Sequence, residues 1–399
     1  MSEENNIHEA LERNVRLKIS IIGIGNAGNQ IVGRAYKEGY NVFAINSSYK
    51  DLSDAVLSEK IPSFIIGEEA RGAGKVRELA VALFKENGKK LFTDNDVFAD
   101  MIESSDVIFV VASTAGGTGS GAAPSLISLL KKMYPNKIVI YYGILPKITD
   151  SPTAQSNFLG CMSEISSLNI PYMLADLSYY ENISNDVAYE EIGKHVINNI
   201  DIISGKYINY SPSGIIDEND MRVIISEPGY LSAYILDKVS ADMIEHEGIQ
   251  AQLINLIKKS PACDINRDKK VSQLGVIVNA PEEIVETTKT GNYDELNDYV
   301  GIPYGVFENY SISNTTMGQF IILYSGMNMS QARIEKAKAK IQEKQKQEEA
   351  IAKKAGVDFG VDTNNLSIFK DSHRMNILVS ATPDDDEEKK GSVLDSFFD

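Results

Sequence analysis

Between residues 17 and 175 the chain alternates short Ile/Val-rich runs with longer stretches whose apolar residues return every three or four positions. The runs at 17–24, 41–46, 61–66, 107–112, 137–144 and 171–174 show little polar alternation, which predicts strands of a parallel sheet covered on both faces. The intervening helical stretches complete a doubly wound α/β domain, a fold that binds ligands at the carboxyl ends of its strands. A long central helix is predicted from about 185 to 203, with Val187, Ile192, Val196, Ile197 and Ile200 at near-helical spacing, ending before Ser204-Gly205. Past the breaker Ser211-Pro212-Ser213-Gly214, a helix pair at 230–259 and strands at 274–279, 304–307 and 319–324 predict a smaller α+β domain. Residues 330–355 are almost pure Ala, Lys, Gln, Glu and Ile, a strong helix former with a thin apolar face. The expected division is a nucleotide-type domain over 1–184, a central helix over 185–210, an α+β domain over 211–328, a Lys-rich helix over 329–355 and an acidic tail over 356–399.

The fourth predicted strand runs into Ala112-Ser-Thr-Ala-Gly-Gly-Thr-Gly-Ser-Gly121 and then into a helix start. Gly116, Gly117, Gly119 and Gly121 remove side chains that would block a ligand, so successive backbone N–H groups can turn toward phosphate oxygens. The helix that follows adds the positive end of its dipole. Thr118 and Ser120 supply hydroxyl donors, and the loop lacks the Gly-Lys-Ser/Thr ending of a Walker P-loop. A second glycine turn, Gly23-Ile-Gly25-Asn26-Ala-Gly28-Asn29-Gln30, closes the first strand with the spacing of a dinucleotide fingerprint. The second strand, however, ends in Asn46-Ser47-Ser48 without the acid that holds an NAD ribose, which weighs against a nicotinamide-dependent oxidoreductase.

Composition narrows the picture further. Of 399 residues 43% are hydrophobic, and no apolar run approaches the roughly 20 residues needed to span a bilayer. The acidic, polar start Met1-Ser-Glu-Glu gives no secretory signal, and only Cys161 and Cys263 occur, so a cytoplasmic protein without disulfides is expected. His8, His195, His246 and His373 are scattered, which predicts no zinc or other protein-built metal site. A net charge of −17 opposes non-specific DNA binding by the surface as a whole. Any DNA role would run through a local basic segment or an adaptor. The basic segment is residues 331–355, with eight Lys or Arg against four Glu; the tail beyond it is acidic and of low hydrophobicity, which predicts disorder. Its last residues, Leu394-Asp-Ser-Phe-Phe-Asp399, read equally as a docking motif or a solvated end.

Taken together, Gly25-Asn-Ala-Gly-Asn-Gln30 and Ala115-Gly-Gly-Thr-Gly-Ser-Gly121 resemble the tubulin/FtsZ superfamily, with Ala115 in place of that family's first glycine. Further landmarks fall in order. Phe43-Ala-Ile-Asn46 is similar to the segment after the second strand, and Arg71-Gly72-Ala73-Gly74-Lys75 to the loop that senses the γ-phosphate. Asp217-Glu-Asn-Asp220-Met-Arg222, followed by Ser226-Glu-Pro-Gly-Tyr230, resembles the family's catalytic loop. The likeness spans about residues 15–330.

The resemblance implies a GTPase that polymerises head to tail. GTP or GDP would be held by Gly25, Asn26, Asn29, Asn46, Gly72, Ala73, Gly74 and residues 115–121 (Ala115, Gly116, Gly117, Thr118, Gly119, Ser120, Gly121) of one subunit, with Mg²⁺ on the phosphates and no metal-ligating residue of the chain. Asp217 and Asp220 of the next would orient the attacking water, Asp220 being the better match. Asp150 falls at the ribose position, Asp176 at a guanine-reading position, and Tyr189 is placed to stack on the base. Departures are Ile215, where the family carries Asn, and the absence of an Arg four residues after Asp150. The Lys-rich helix and acidic tail are most similar to plasmid- and phage-borne members, which implies filaments that move or segregate DNA. Neighbouring subunits or a DNA-binding adaptor would be reached through Lys336, Lys338, Lys340, Lys344 and Lys346, or those lysines form a merely solvated face. A division-ring protein and a filament without hydrolysis are the alternatives within the family.

Overall fold

The computed structural model describes residues 16–52, 54–67, 72–211, 216–289, 292–355 and 393–398. Ten strands form one sheet: β1 (Ile19–Ile24), β2 (Asn41–Asn46), β3 (Ser63–Ile65), β4 (Val107–Ser113), β5 (Ile138–Leu145), β6 (Pro171–Asp176), β7 (Gly229–Val239), β8 (Gln273–Ala280), β9 (Gly305–Ile312) and β10 (Gly318–Met327). Their order is β3-β2-β1-β4-β5-β6-β7-β10-β8-β9. The strands from β3 to β7 run parallel, and β10 is antiparallel to both β7 and β8.

The helices that concern the site are α1 (Gly25–Lys37), α2 (Arg77–Asn87), α3 (Lys89–Thr93), α4 (Thr118–Met133), α5 (Pro152–Ser167), α6 (Asn185–Ile203), α7 (Glu218–Ser226), α8 (Gln331–Ala355) and a last turn, α9 (393–398). Alternation along the strands sends their side chains to two apolar layers. Ile22, Ile24, Ile108 and Val110 pack under α2, α4 and α5 through Phe84, Leu126 and Phe158. Ile21, Phe109 and Val111 pack on the opposite face under α1 and α6 through Val32, Ile192, Val196 and Ile200. Both faces of the strands are thus apolar, which is why the sequence showed continuous runs. Cys161 and Cys263 are free and buried, and burial raises the Cys161 thiol to about 11, leaving it inert near neutrality.

Two expectations change. The segment at 230–259 is not a helix pair throughout: Gly229–Val239 is the eleven-residue strand β7, and helices occupy only Ala241–Glu247 and Ile249–Lys258. Burial explains it, because Tyr230, Leu231, Ala233 and Tyr234 all lie in the core, so both faces of the strand are apolar and helical and strand periods look alike. The later strands also extend the first sheet and do not build one of their own. The joint is short, with Pro171 opposite Gly229 and Tyr172 opposite Tyr230, and the two tyrosine rings stack 6.1 Å apart. Among the described residues no helix is long and apolar enough to cross a membrane.

Candidate functional site

The strand order reverses at β1, which pairs with β2 on one side and β4 on the other. The chain leaves β1 into α1 on one face and leaves β4 into α4 on the other, so a crevice opens between the two helix starts. Gly25 holds φ +72°, a conformation that glycine adopts without strain, and a Cβ there would lie 3.2 Å from the Gly119 nitrogen. The two N-termini are therefore neighbours. Neither carries a side-chain cap, and neither has an acid in its first turn. The first backbone bond of α4 runs from Gly121 N–H to the Gly117 carbonyl (3.0 Å), so the N–H groups of Thr118, Gly119 and Ser120 precede the ladder. Two uncapped positive helix ends side by side fit a polyphosphate. A Cβ on Gly116 would meet no atom within 4 Å, so the loop is open on that side.

Three other segments brace this cradle. The Ser47 hydroxyl lies 2.7 Å from that of Thr118 and accepts the Ala73 N–H at 3.2 Å, tying the end of β2 and the 72–75 loop to the start of α4. A Cβ on Gly117 would come within 3.0 Å of the Ala73 side chain and of Val76 N, so the two loops are in close contact. Asn157 on α5 donates to the carbonyls of Lys75 and Ala115, both at 3.0 Å, and clasps the pair from behind. That clasp was not legible in the sequence, because Asn157 lies 82 and 42 residues from the carbonyls it joins.

Several predicted ligand contacts prove to be scaffold. Asn29 and Asn46 are buried; Asn29 donates to the carbonyls of Gly23 and Ile45, and its oxygen accepts from Asn46 at 2.8 Å. Asn46 donates also to the Asp51 carbonyl and accepts from Ser47 N–H, so both amides are fully committed to joining β1 and β2. The Ser120 hydroxyl turns back to the carbonyls of Gly116 and Gly117. Gly121 is small for packing, since a Cβ would meet the Arg77 carbonyl at 2.4 Å. Of the other predicted residues, Asn26 and Gly74 are exposed, Gly72, Ala115, Gly116 and Thr118 are half-buried, and Gly25, Ala73, Gly117 and Gly119 are buried, Gly25 and Gly119 against each other.

Asp176 is a correction. Its carboxylate accepts from Arg333 Nε at 2.7 Å and from Ser178 N–H at 2.9 Å, and Arg333 also donates to the Pro146 carbonyl at 2.6 Å and lies over the Phe158 ring. Both carboxylate oxygens are engaged, so the residue anchors α8 to the end of β6. Arg333 is 4% exposed and its partner carboxylate 13%. Arg333→Met leaves that carboxylate buried and unpaired, and should lower stability by about 3–5 kcal/mol. Urea unfolding checks this, with Arg333→Met/Asp176→Asn recovering part of the loss.

A cavity of about 320 Å³ lies between α1 and α6, lined by Gln30, Ile31, Arg34, Asp186, Tyr189, Glu190 and Gly193. Burial, and next the Asp150 charge, raises the Tyr189 phenol above its ordinary value. Asp150 itself accepts from Lys147 N–H at 2.9 Å. Asp186 is the residue that sequence reading missed. It is the acid in the first turn of α6, three residues before Tyr189 and so on the same helical face. A second cavity of about 460 Å³ lies across Gln30 and is lined by Asn26, Lys50, Asp51, Leu52, Asp54 and Ala55.

The acidic pair is elsewhere. Asp217 caps α7 by accepting Asp220 N–H at 2.9 Å, and Asp220 accepts Asp217 N–H at 3.1 Å, a reciprocal capping box. Arg222 of the same helix pairs with Asp106 at 2.7 Å. Asp106 stands at the entry to β4, whereas the glycine loop leaves its exit. Seven residues of strand, about 20 Å, separate the two. Ile215 lies outside the described residues. Among those described, no group of acidic, His or Cys side chains is placed to hold a metal ion.

Residues 18–169 match the model of the Tubulin/FtsZ family, GTPase domain, so this part of the chain is a GTPase domain of the tubulin/FtsZ type. The tubulin-like protein TubZ of Clostridium botulinum C phage is 26% identical over 345 residues, covering 85% of this chain and 87% of that one. The cell division protein FtsZ of Aquifex aeolicus is 26% identical over 222 residues, 53% of this chain and 57% of its own. The crystal structure of a GTPγS-form protofilament of Bacillus thuringiensis serovar israelensis TubZ shares the fold, with a TM-score of 0.69, 18% identity and coverage of 88% of this chain and 99% of that chain.

Proposed function

We propose that this protein hydrolyses GTP at a site completed only when two copies meet head to tail, and that the resulting filaments position or segregate plasmid or phage DNA. The observation that carries the reading is the placement of nucleotide cradle and acidic pair at opposite ends of β4. No motion of a loop bridges about 20 Å of strand, so the acids of one subunit serve the triphosphate of another. The TubZ of Bacillus thuringiensis serovar israelensis, which shares the fold, forms a protofilament in its GTPγS form, which supports assembly of this chain with further copies of itself.

In this reading the N–H groups at the starts of α1 and α4 take the phosphate oxygens. Asp220 of the next subunit, with Asp217, orients and polarises the attacking water. Mg²⁺ offsets the repulsion between those acids and the phosphates. The ion would bind chiefly through the nucleotide's phosphate oxygens and water, as is usual for Mg²⁺. Asp186 accepts from the N–H edge of guanine, which presents donors where adenine does not. Asp186→Ala should weaken GTP roughly 10- to 150-fold, the worth of a bond to a charged acceptor, and erase the preference for GTP over ITP in competition binding. Turnover per subunit should rise steeply with protein concentration alongside sedimentable polymer. A rate that stays constant on dilution below the assembly threshold defeats the proposal.

The DNA assignment rests on the phage TubZ likeness, which runs over most of both chains, whereas the FtsZ likeness covers about half of each. Along α8, Lys338, Lys340 and Lys344 each pair with a Glu of their own helix, which offsets part of its positive charge. The net charge of −17 on the whole chain favours a DNA-bound adaptor over DNA itself as the partner for this region.

A further inference from the structure

The last described segment, α9, is seated on the GTPase domain. Leu394 is buried in the core layer that contains Phe84 and Leu91. The Phe398 ring packs on Phe84 with centroids 6.0 Å apart, and its edge lies 3.2 Å from where Gly88 would carry a Cβ. Phe397 sits beneath the Lys132 ammonium, 5.6 Å from the ring centre, and Asp395 pairs with Lys89 at 2.6 Å. Apolar anchors alternate with a charge, and each meets its complement in a shallow groove formed by α2, α3 and the end of α4. Gly88, at the α2–α3 junction, leaves the room that the Phe398 ring fills.

We propose that this groove is a peptide-docking site whose occupant is the chain's own C-terminal segment, held as a releasable latch. Residues 356–392 intervene between α8 and α9, so the contact is one between tethered parts and is favoured by the effective concentration of the tether. Two aromatic rings and a leucine carry the affinity, while the exposed Lys89–Asp395 pair sets the direction of the peptide. While latched, the acidic-aromatic motif is withheld from other proteins; release presents it.

Hydrogen exchange on the full-length chain tests the latch. Amides of 393–398 should exchange at least about tenfold slower than in a free peptide, and Leu394→Asp/Phe398→Asp should abolish that protection. A labelled peptide of residues 391–399 should bind the Leu394→Asp/Phe398→Asp chain at least tenfold more tightly than the parent, whose groove is filled. Lys89→Glu should weaken that binding, and a peptide carrying Asp395→Lys should restore it. Unprotected amides in the parent, or a peptide that binds parent and variant alike, overturns the proposal.

Discussion

A Gly116→Asp protein should fold as the parent does and fail to hold GTP. The position is unusual in the glycine loop because an added Cβ meets no atom within 4 Å, so packing is undisturbed. What changes is the field. The loop lies between two helix starts that carry no cap and no acid, and a carboxylate there cancels the positive potential that a triphosphate uses. One unit charge at about 4–6 Å from a phosphate, at an effective dielectric near 20, costs roughly 3–4 kcal/mol, equivalent to roughly 10²–10³ in affinity. Fluorescent GTP titration beside a thermal melt separates the effects. An unchanged melting temperature with lost binding is expected; unchanged binding places the phosphates elsewhere.

Asp220→Asn should bind GTP normally, assemble, and turn over about 10²–10⁴-fold more slowly, the usual contribution of a positioned acid-base group. Asparagine is the better choice than alanine. The Asp220 carboxylate also accepts Asp217 N–H at the start of α7, and the amide oxygen keeps that bond. Alanine would remove that half of the capping box as well, leaving only the Asp217 cap onto the residue-220 N–H. Phosphate release and electron microscopy on the same sample give the check: persistent filaments and little phosphate. Parent-like hydrolysis removes Asp220 from the catalytic role.

The parallel half of the sheet was legible because strands covered on both sides must be apolar throughout, as Val107 to Ala112 are, and glycine turns punctuate their ends. The same property concealed β7, whose buried Tyr230, Leu231, Ala233 and Tyr234 give no period to read. At the site, glycine spacing located the cradle because backbone geometry is written in residue type. Amide side chains gave no such certainty. Asn29 and Asn46 stand in the right loops, yet their hydrogen bonds close on each other, and only coordinates show where an amide points. Asp176 misled for a related reason, since its partner Arg333 is remote in sequence and invisible to any local pattern. Asp186 carries no signal of its own in the sequence, since an acid in the first turn of a helix is favoured by the dipole alone.

In the proposed head-to-tail arrangement, placing cradle and acids at opposite margins of one sheet would give a row of these molecules unlike tips. At one tip a subunit would present its aspartates to bulk water with nothing to cleave. At the other a bound nucleotide would wait intact until a newcomer covered it. Age, counted in uncleaved phosphates, would thereby be inscribed along the row, and growth and loss need not occur at the same place.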